Sequence, residues 1–483
     1  MRRTRTVALL TLAMLEAFTL AAATGVACML PPRLALLQPA RVAPAPVVHA
    51  GAVLRDPGRA GHTGPMPTAP GLAAALTGPM SSRAFGSDAA VVVADAGTGR
   101  VLYSRNGGSL LAPASTGKLA TAVAALHVLG PGYRFTTRVV RGTSPGSIVL
   151  VGGGDPTLAA GTPPASDYPQ PATLKNLAAK TARALRARHR TRVSLGYDTS
   201  LYSGPGLAPG WPGSYVTSGN VTPVTPLEAD QGRLTAGGAP QDAYDPTNYR
   251  PRSAHPAAAA AAAFAGFLSG DGIRVSGTPA KVTAPRGAAT LASVSSPPLS
   301  AIVQLMLLNS DNVIAENLAR HVALAAGRPP TFAGAAAAVR AAVQRLGVPG
   351  AGTGIQMVDG SGLSPQDRIA PGVLVRLLVL AASPDHPGLR PVITGLPVAG
   401  FAGTLAKGHS VFGSIGGAAL GVVRAKTGNL STVAALAGLA YDSDGRLLAF
   451  DVNAGRIPKA ADLGAAATAL DSAASALAAC GCR

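Results

Sequence analysis

The chain has 483 residues, more than one hydrophobic core normally serves, so two folded units plus tails is the expected organisation. It is 47% hydrophobic but 4% aromatic, with 59 Gly and 41 Pro, a globular composition of Ala- and Val-rich packing broken by many turns. The formal charge of +19 comes without any run of Lys and Arg and without interleaved aromatics, which argues against nucleic acid and leaves two readings, an anionic extracellular surface as partner or a surplus of Arg with no partner at all.

In chain order, Arg2, Arg3 and Arg5 precede an apolar run over residues 7–30 interrupted only by Glu16 and small hydroxyl residues, the form of an export signal. Ala21-Ala22-Ala23 offers a cleavage site, and the run is also long enough to cross a bilayer, so residues 1–30 read as a signal peptide or a membrane anchor. Either form places the rest of the chain in the extracytoplasmic cell envelope. Residues 31–84 are dense in Pro, Ala and Gly without periodicity and read as a linker. An apolar run at 89–94, a turn at Gly97 and Gly99, and a second run at 100–103 predict a β-hairpin. A helix is predicted over 115–129, closed by Gly130-Pro131-Gly132.

From 136 to 295 the texture changes to short β-like pieces and Gly-Pro turns, which predicts an inserted β-rich domain. Helical patterns return at 301–308, after 313 and at 333–346. Runs at 421–425, 432–440 and 446–452 predict a three-stranded meander, which can join the first hairpin in one antiparallel sheet. An Ala-rich helix from Lys459 closes the chain. Segments 85–135 and 296–479 then form one domain split by the insert.

Cys28, Cys480 and Cys482 cannot make a disulfide framework and lie outside the predicted globular part. Eight histidines are scattered singly with no HExxH, so neither a metal nor any other cofactor is expected. Lysine usage carries more information, because only seven lysines stand against 34 arginines. A desolvated lysine can lose its proton and an arginine cannot, so a lysine kept at a motif marks a place for a catalytic amine.

Three short motifs follow in order: Ser115-Thr116-Gly117-Lys118, Ser310-Asp311-Asn312 and Lys426-Thr427-Gly428. Ser115 opens a predicted helix and Lys118 lies three residues on, so the amine can reach the hydroxyl. The first amides of a helix have no internal partner, which leaves the Ser115 N–H to donate to a developing oxyanion. Burial and a second cation, Lys426, would bring Lys118 toward its neutral form. Ser310 suits a proton relay to the leaving nitrogen. Asn312 offers a carbonyl to hold a lysine and an amide donor for the substrate backbone. Lys426 and Thr427 end a strand where a peptide can pair by strand addition, facing a terminal carboxylate. Gly428 leaves room for close approach, and the Asn429 amide can complete the oxyanion hole. Each of these serines, aspartates and asparagines is also an ordinary cap or turn residue, and it is the ordered set that points to chemistry.

Taken together, these residues resemble the D-Ala-D-Ala carboxypeptidase and endopeptidase family of low-molecular-mass penicillin-binding proteins, peptidase family S13, over residues 89–453. The stretches Val151-Gly152-Gly153-Gly154-Asp155-Pro156, Val358-Asp359-Gly360-Ser361-Gly362-Leu363-Ser364 and Gly395-Leu396-Pro397-Val398-Ala399-Gly400 add to the resemblance. It implies an α+β penicillin-binding/β-lactamase-like transpeptidase fold, with a five-stranded antiparallel sheet flanked by helices, a helical subdomain and an insert after the nucleophile helix. It further implies Ser115 as nucleophile, Lys118 as base, Ser310 as relay, Asn312 as substrate holder, and Lys426 with Thr427 as carboxylate grip. Ser361, Ser364 and Arg368 are implied as binders of the peptide side chain. Peptidoglycan peptides would be the substrate and β-lactams covalent inhibitors. Asp155 reads as a turn residue, and Glu316 as a structural pair or cap. The competing readings are a β-lactamase or esterase on the same fold, and an inactive cell-wall binding module.

Overall fold

The computed structural model describes residues 64–234, 250–406, 415–458 and 462–483. The signal or anchor reading at 1–30 and the helix start at Lys459 fall outside these residues.

Within the span read as linker, Ala69–Met80 is a helix, α1. The Thr68 side chain caps it by accepting from the Gly71 amide at 3.1 Å. Leu72, Leu76 and Met80, four residues apart, are buried against Leu470 and Leu477 from the far end of the chain. The linker reading of this part is therefore corrected. A helix of mostly Ala, Gly and Pro with so few anchors leaves little hydrophobic period to read.

The hairpin β1 (Asp88–Asp95) and β2 (Val101–Arg105) leads through a short 3₁₀ turn, Ala114–Gly117, into α2 (Lys118–Leu129). The insert then contributes β3 (Thr136–Arg141), β4 (Ser147–Val151), α3 (Leu174–Arg186), β5 (Arg192–Asp198), α4 (Pro256–Gly270), β6 (Arg274–Lys281) and β7 (Thr290–Ser295). Its sheet has the order β6-β5-β4-β3-β7, with β4, β5 and β6 parallel to one another and β3 antiparallel to β4 and β7. Leu177, Ala178, Phe264 and Leu268 of the two helices pack on Val139, Leu150 and Val193 of the sheet. The insert is thus an α/β layer pair, a correction to the β-rich expectation: the Ala run at 257–263 is helix α4, and parallel neighbours need such crossovers.

After the insert come α5 (Leu299–Asn309), α6 (Asn312–Ala325), α7 (Phe332–Arg345) and α8 (Pro371–Ala382). The chain ends in β8 (Arg424–Leu430), β9 (Val433–Tyr441), β10 (Leu447–Gly455) and α9 (Leu463–Ala479). The meander and the first hairpin make one five-stranded antiparallel sheet in the order β8-β9-β10-β1-β2. Alternation sorts its side chains onto two cores. Val92, Ala94 and Ala449 face α2, α6 and α8, whereas Val91, Val93 and Phe450 face α1 and α9. Cys480, expected outside the folded part, is buried in the second core and paired with Cys482.

Candidate active site

The site forms where α2, the α5–α6 junction and the edge strand β8 converge. Ala114, just before Ser115, holds a left-handed φ of 47°, and Ser310 at the end of α5 holds one of 58°. Such conformations cost a non-glycine residue about 1–3 kcal/mol and persist only where the surroundings impose them. Two glycines impose the first. A Cβ on Gly362, whose φ is 76°, would collide with the Ala114 carbonyl, and one on Gly428 would lie 2.8 Å from the Pro113 oxygen. Gly428 therefore makes room for the turn carrying Ser115, where the sequence reading had assigned that room to substrate. The Thr116 hydroxyl closes the turn by donating to the Pro113 carbonyl at 2.6 Å.

Lys118 is fully buried. Its Nζ lies 2.8 Å from Ser115 Oγ, 2.7 Å from Asn312 Oδ1 and 2.8 Å from the Ser361 carbonyl oxygen. Two of these partners are carbonyls with no proton to give. A neutral amine would donate its two protons to them, leaving its lone pair for the Ser115 hydroxyl. Burial lowers the Lys118 pKa to about 8, and the carboxylates of Asp359, Glu316, Asp311 and Asp367 oppose that shift. The second cation acts differently from the expectation: the repulsion falls on Lys426, which burial and the Lys118 charge push well below the usual lysine range. Lys426 Nζ donates to Ser310 Oγ at 2.8 Å and to the Thr427 carbonyl at 2.6 Å. The Ser310 hydroxyl thus pairs with Lys426.

Asn312 holds Lys118 through its carbonyl, but its amide nitrogen donates to the Asn220 carbonyl of the insert at 2.8 Å. That bond takes one of the two protons on the amide nitrogen. The neighbouring Asp311 caps α6 by accepting from the Ile314 amide at 2.9 Å, and it also receives Gln231 of the insert at 2.7 Å. Asp155 accepts from the Thr157 amide at 2.9 Å and its hydroxyl at 2.7 Å, the turn geometry read from its sequence.

A buried loop aims the Ser361 carbonyl at Lys118. Asp359 Oδ1 accepts from the amides of Ser361 at 3.0 Å and Gly362 at 2.7 Å, while Oδ2 accepts from the Ser364 amide at 2.6 Å and Trp211 Nε1 at 2.8 Å. Glu316 accepts from the amides of Gly360 at 3.0 Å and Ser361 at 2.8 Å, a structural contact of the kind read from the sequence. Ser361 and Ser364 have no exposed surface, and the Ser364 hydroxyl donates to the Pro209 carbonyl at 3.2 Å. Arg368 Nη1 donates to the carbonyls of Pro365 and Asp367, each at 2.7 Å. Ser361 and Ser364 thus serve the loop, which corrects their assignment to the peptide side chain, whereas Arg368 is half-buried and keeps exposed surface beside these bonds. The sequence reading missed Asp359 as the loop's hub and the insert's contacts at Trp211 and Asn220. An Asp followed by Gly-Ser-Gly is the available signal for the first. Asn429 is exposed on β8, and the Thr427 hydroxyl lies 2.8 Å from that of Thr404.

The two-lysine arrangement around a helix-opening serine, on this sheet, defines a serine-type peptidase of the penicillin-binding class. The match to known proteins makes that specific: residues 72–245 and 233–476 fit the D-Ala-D-Ala carboxypeptidase 3 (S13) family, and the chain belongs to it. It is 37% identical over 426 residues to carboxypeptidase DacB of Mycolicibacterium smegmatis, covering 86% of each chain. It is 31% identical over 439 residues to the D-alanyl-D-alanine carboxypeptidase of Actinomadura sp. R39, covering 77% of this chain and 78% of that one. The fold matches penicillin-binding protein 4 of Haemophilus influenzae with a TM-score of 0.65 at 23% identity, over 82% of this chain and 98% of that one.

Proposed function

We propose that this enzyme removes the terminal D-alanine from peptidoglycan stem peptides through an acyl-enzyme on Ser115. The observation that carries the reading is the set of three bonds at Lys118 Nζ, which fixes the amine against the Ser115 hydroxyl. Lys118 takes the hydroxyl proton as Oγ attacks the penultimate D-alanyl carbonyl. The Ser115 and Asn429 amides stabilise the oxyanion. Breaking the C–N bond requires a proton on the leaving nitrogen: the Ser310 hydroxyl gives its own and is refilled by Lys426, which donates to its Oγ. The proton taken by Lys118 makes up that loss, so that both lysines end acylation as they began. Water then hydrolyses the ester, and Thr427 with Lys426 grips the terminal carboxylate. The same nucleophile opens a β-lactam. Export to the envelope, by a cleaved signal or an anchor, brings the enzyme to its substrate, and a reporter fused after residue 84 is expected to be active only outside the cytoplasm.

The test is mass spectrometry of intact protein through a penicillin pulse and chase. We expect one penicilloyl group on Ser115 that persists far longer than a peptide turnover. Hydrolysis of that ester needs a base beside water, and the glutamates nearest the motifs are buried away from solvent: Glu316 holds two loop amides, and Glu228 accepts from Asn317 at 3.0 Å through one oxygen. Loss of the adduct within seconds would identify a β-lactamase instead. No adduct at all would identify a binding module.

A further inference from the structure

We infer that Thr404 is a positioning residue for recognition of the substrate's terminal carboxylate, acting through the hydroxyl of Thr427. This inference rests on the function proposed above and names a residue that none of the three motifs contains.

Thr404 sits on a single 3₁₀ turn, Gly403–Leu405. The turn is seated on three sides. Gly403 has a φ of 58°, and a Cβ there would run into the Leu308 carbonyl near the end of α5, so only glycine lets the turn close against the helix that delivers Ser310. Leu405 is buried in the core beneath the sheet, and its carbonyl accepts from the Gly400 amide at 2.8 Å. The Ala406 amide returns to the Gly403 carbonyl at 3.1 Å. Such seating gives the Thr404 hydroxyl a fixed position, and that position is 2.8 Å from Thr427 Oγ1.

Two hydroxyls in contact share one proton between them and leave the other proton to point elsewhere. If Thr404 accepts, Thr427 spends its proton inward and offers a carboxylate only lone pairs. If Thr404 donates, Thr427 Oγ1 is free to donate outward. An incoming carboxylate has only acceptors, so its arrival selects the second state, and Thr404 becomes the donor that stabilises it. Lys426 lies beside this pair as a further N–H donor, with its Nζ on the Thr427 carbonyl at 2.6 Å. Thr427 is nearly buried, at 6% exposure, so water replaces a missing inner partner poorly. Removing the Thr404 hydroxyl therefore leaves the Thr427 proton without a fixed direction and weakens carboxylate recognition specifically. The chemistry at Ser115 and Lys118 is untouched in geometry, because neither bonds to this turn.

The experiment compares the wild type with Thr404→Val, which keeps the shape, and Thr404→Ser, which keeps the hydroxyl. The probes are an N-acylated peptide ending in D-alanyl-D-alanine and the same peptide with its C-terminal carboxylate amidated. The readout is the ratio of kcat/KM for the two. A hydrogen bond to a charged group sets the expected scale, so Thr404→Val should lower the ratio roughly 10- to 100-fold. Thr404→Ser should keep it within about threefold of wild type. An equal loss on both peptides means that the residue is only structural, and an unchanged ratio means that Thr427 needs no partner; either result overturns the inference. A wild-type enzyme that neither cleaves the free-acid peptide nor takes a penicilloyl group refutes the proposed function itself, and that outcome is recognised without any variant.

Discussion

At the scale of single residues, the position of Lys118 makes two demands that an arginine cannot meet together: full burial, and a lone pair at near-neutral pH. The pKa of about 8 means that the amine is mostly protonated at pH 6 and mostly neutral above 8. Because the base form is the deprotonated one, acylation of Ser115 by penicillin should rise about tenfold per pH unit below 8 and level off above it. Lys118→Arg keeps a cation at the same place but cannot take the proton. We predict a loss of roughly 10² to 10⁴ in acylation rate, close to that of Ser115→Ala. The variant's pH profile is the sharper measurement. A Lys118→Arg enzyme that retains more than about a tenth of the rate, with the same rise toward pH 8, would assign the titration to another group.

At the scale of elements, the site depends on backbones brought close enough for glycine alone. Strand β8 lies so near the serine turn that a Cβ on Gly428 would be 2.8 Å from the Pro113 oxygen and 3.2 Å from the Thr116 amide. Gly428→Ala must therefore push the strand or the turn, and a displacement near 1 Å costs about 10²-fold in rate. Stopped-flow acylation beside a thermal melt checks this, and a normal rate in a fully folded Gly428→Ala protein would show that the turn has slack. The contrast between legible and illegible elements follows the same physics. Strands β1, β9 and β10 and helix α2 were readable because continuous apolar runs between turn residues belong to buried elements, and the motifs were readable because chemistry restricts their residue types. Helix α1 was not, since Ala, Gly and Pro with three spaced anchors look like linker until a partner 400 residues away supplies the other face. The roles of Ser361 and Ser364 were equally hidden: their identity as small hydroxyl residues fits a binding site and a buried turn alike, and only the Asp359 bonds decide between them.

At the scale of the whole molecule, distant segments complete the catalytic domain from both ends. The side chains of Leu72, Leu76 and Met80 are each worth about 2 kcal/mol on burial, and the Thr68 amide is tied to the Cys482 carbonyl at 2.7 Å. A protein beginning at residue 84 should therefore melt roughly 12–24 °C lower than one beginning at 64, from about 6 kcal/mol at about 2–4 °C per kcal/mol. Equal melting temperatures would return the segment to linker. The insert is joined in a similar way, but its reach is to the site. Its two ends leave side by side, with the Ser296 amide on the Phe135 carbonyl at 2.9 Å, and from there the insert reaches back to set Asp311, Asn312 and Asp359. Trp211 is the most separable of these contacts. Its ring packs edge-on against Phe332 at 5.4 Å, while its Nε1 donates to Asp359, the residue that aims the Ser361 carbonyl at Lys118. Trp211→Phe keeps an aromatic ring there and removes the donor. We predict a roughly 10-fold slower acylation, from one lost bond to a charged acceptor, with the pH dependence of the rate displaced as the lysine's surroundings relax. A variant with an unaltered rate and profile would confine the insert's influence to the α5–α6 junction, where Asn220 and Gln231 act without Trp211.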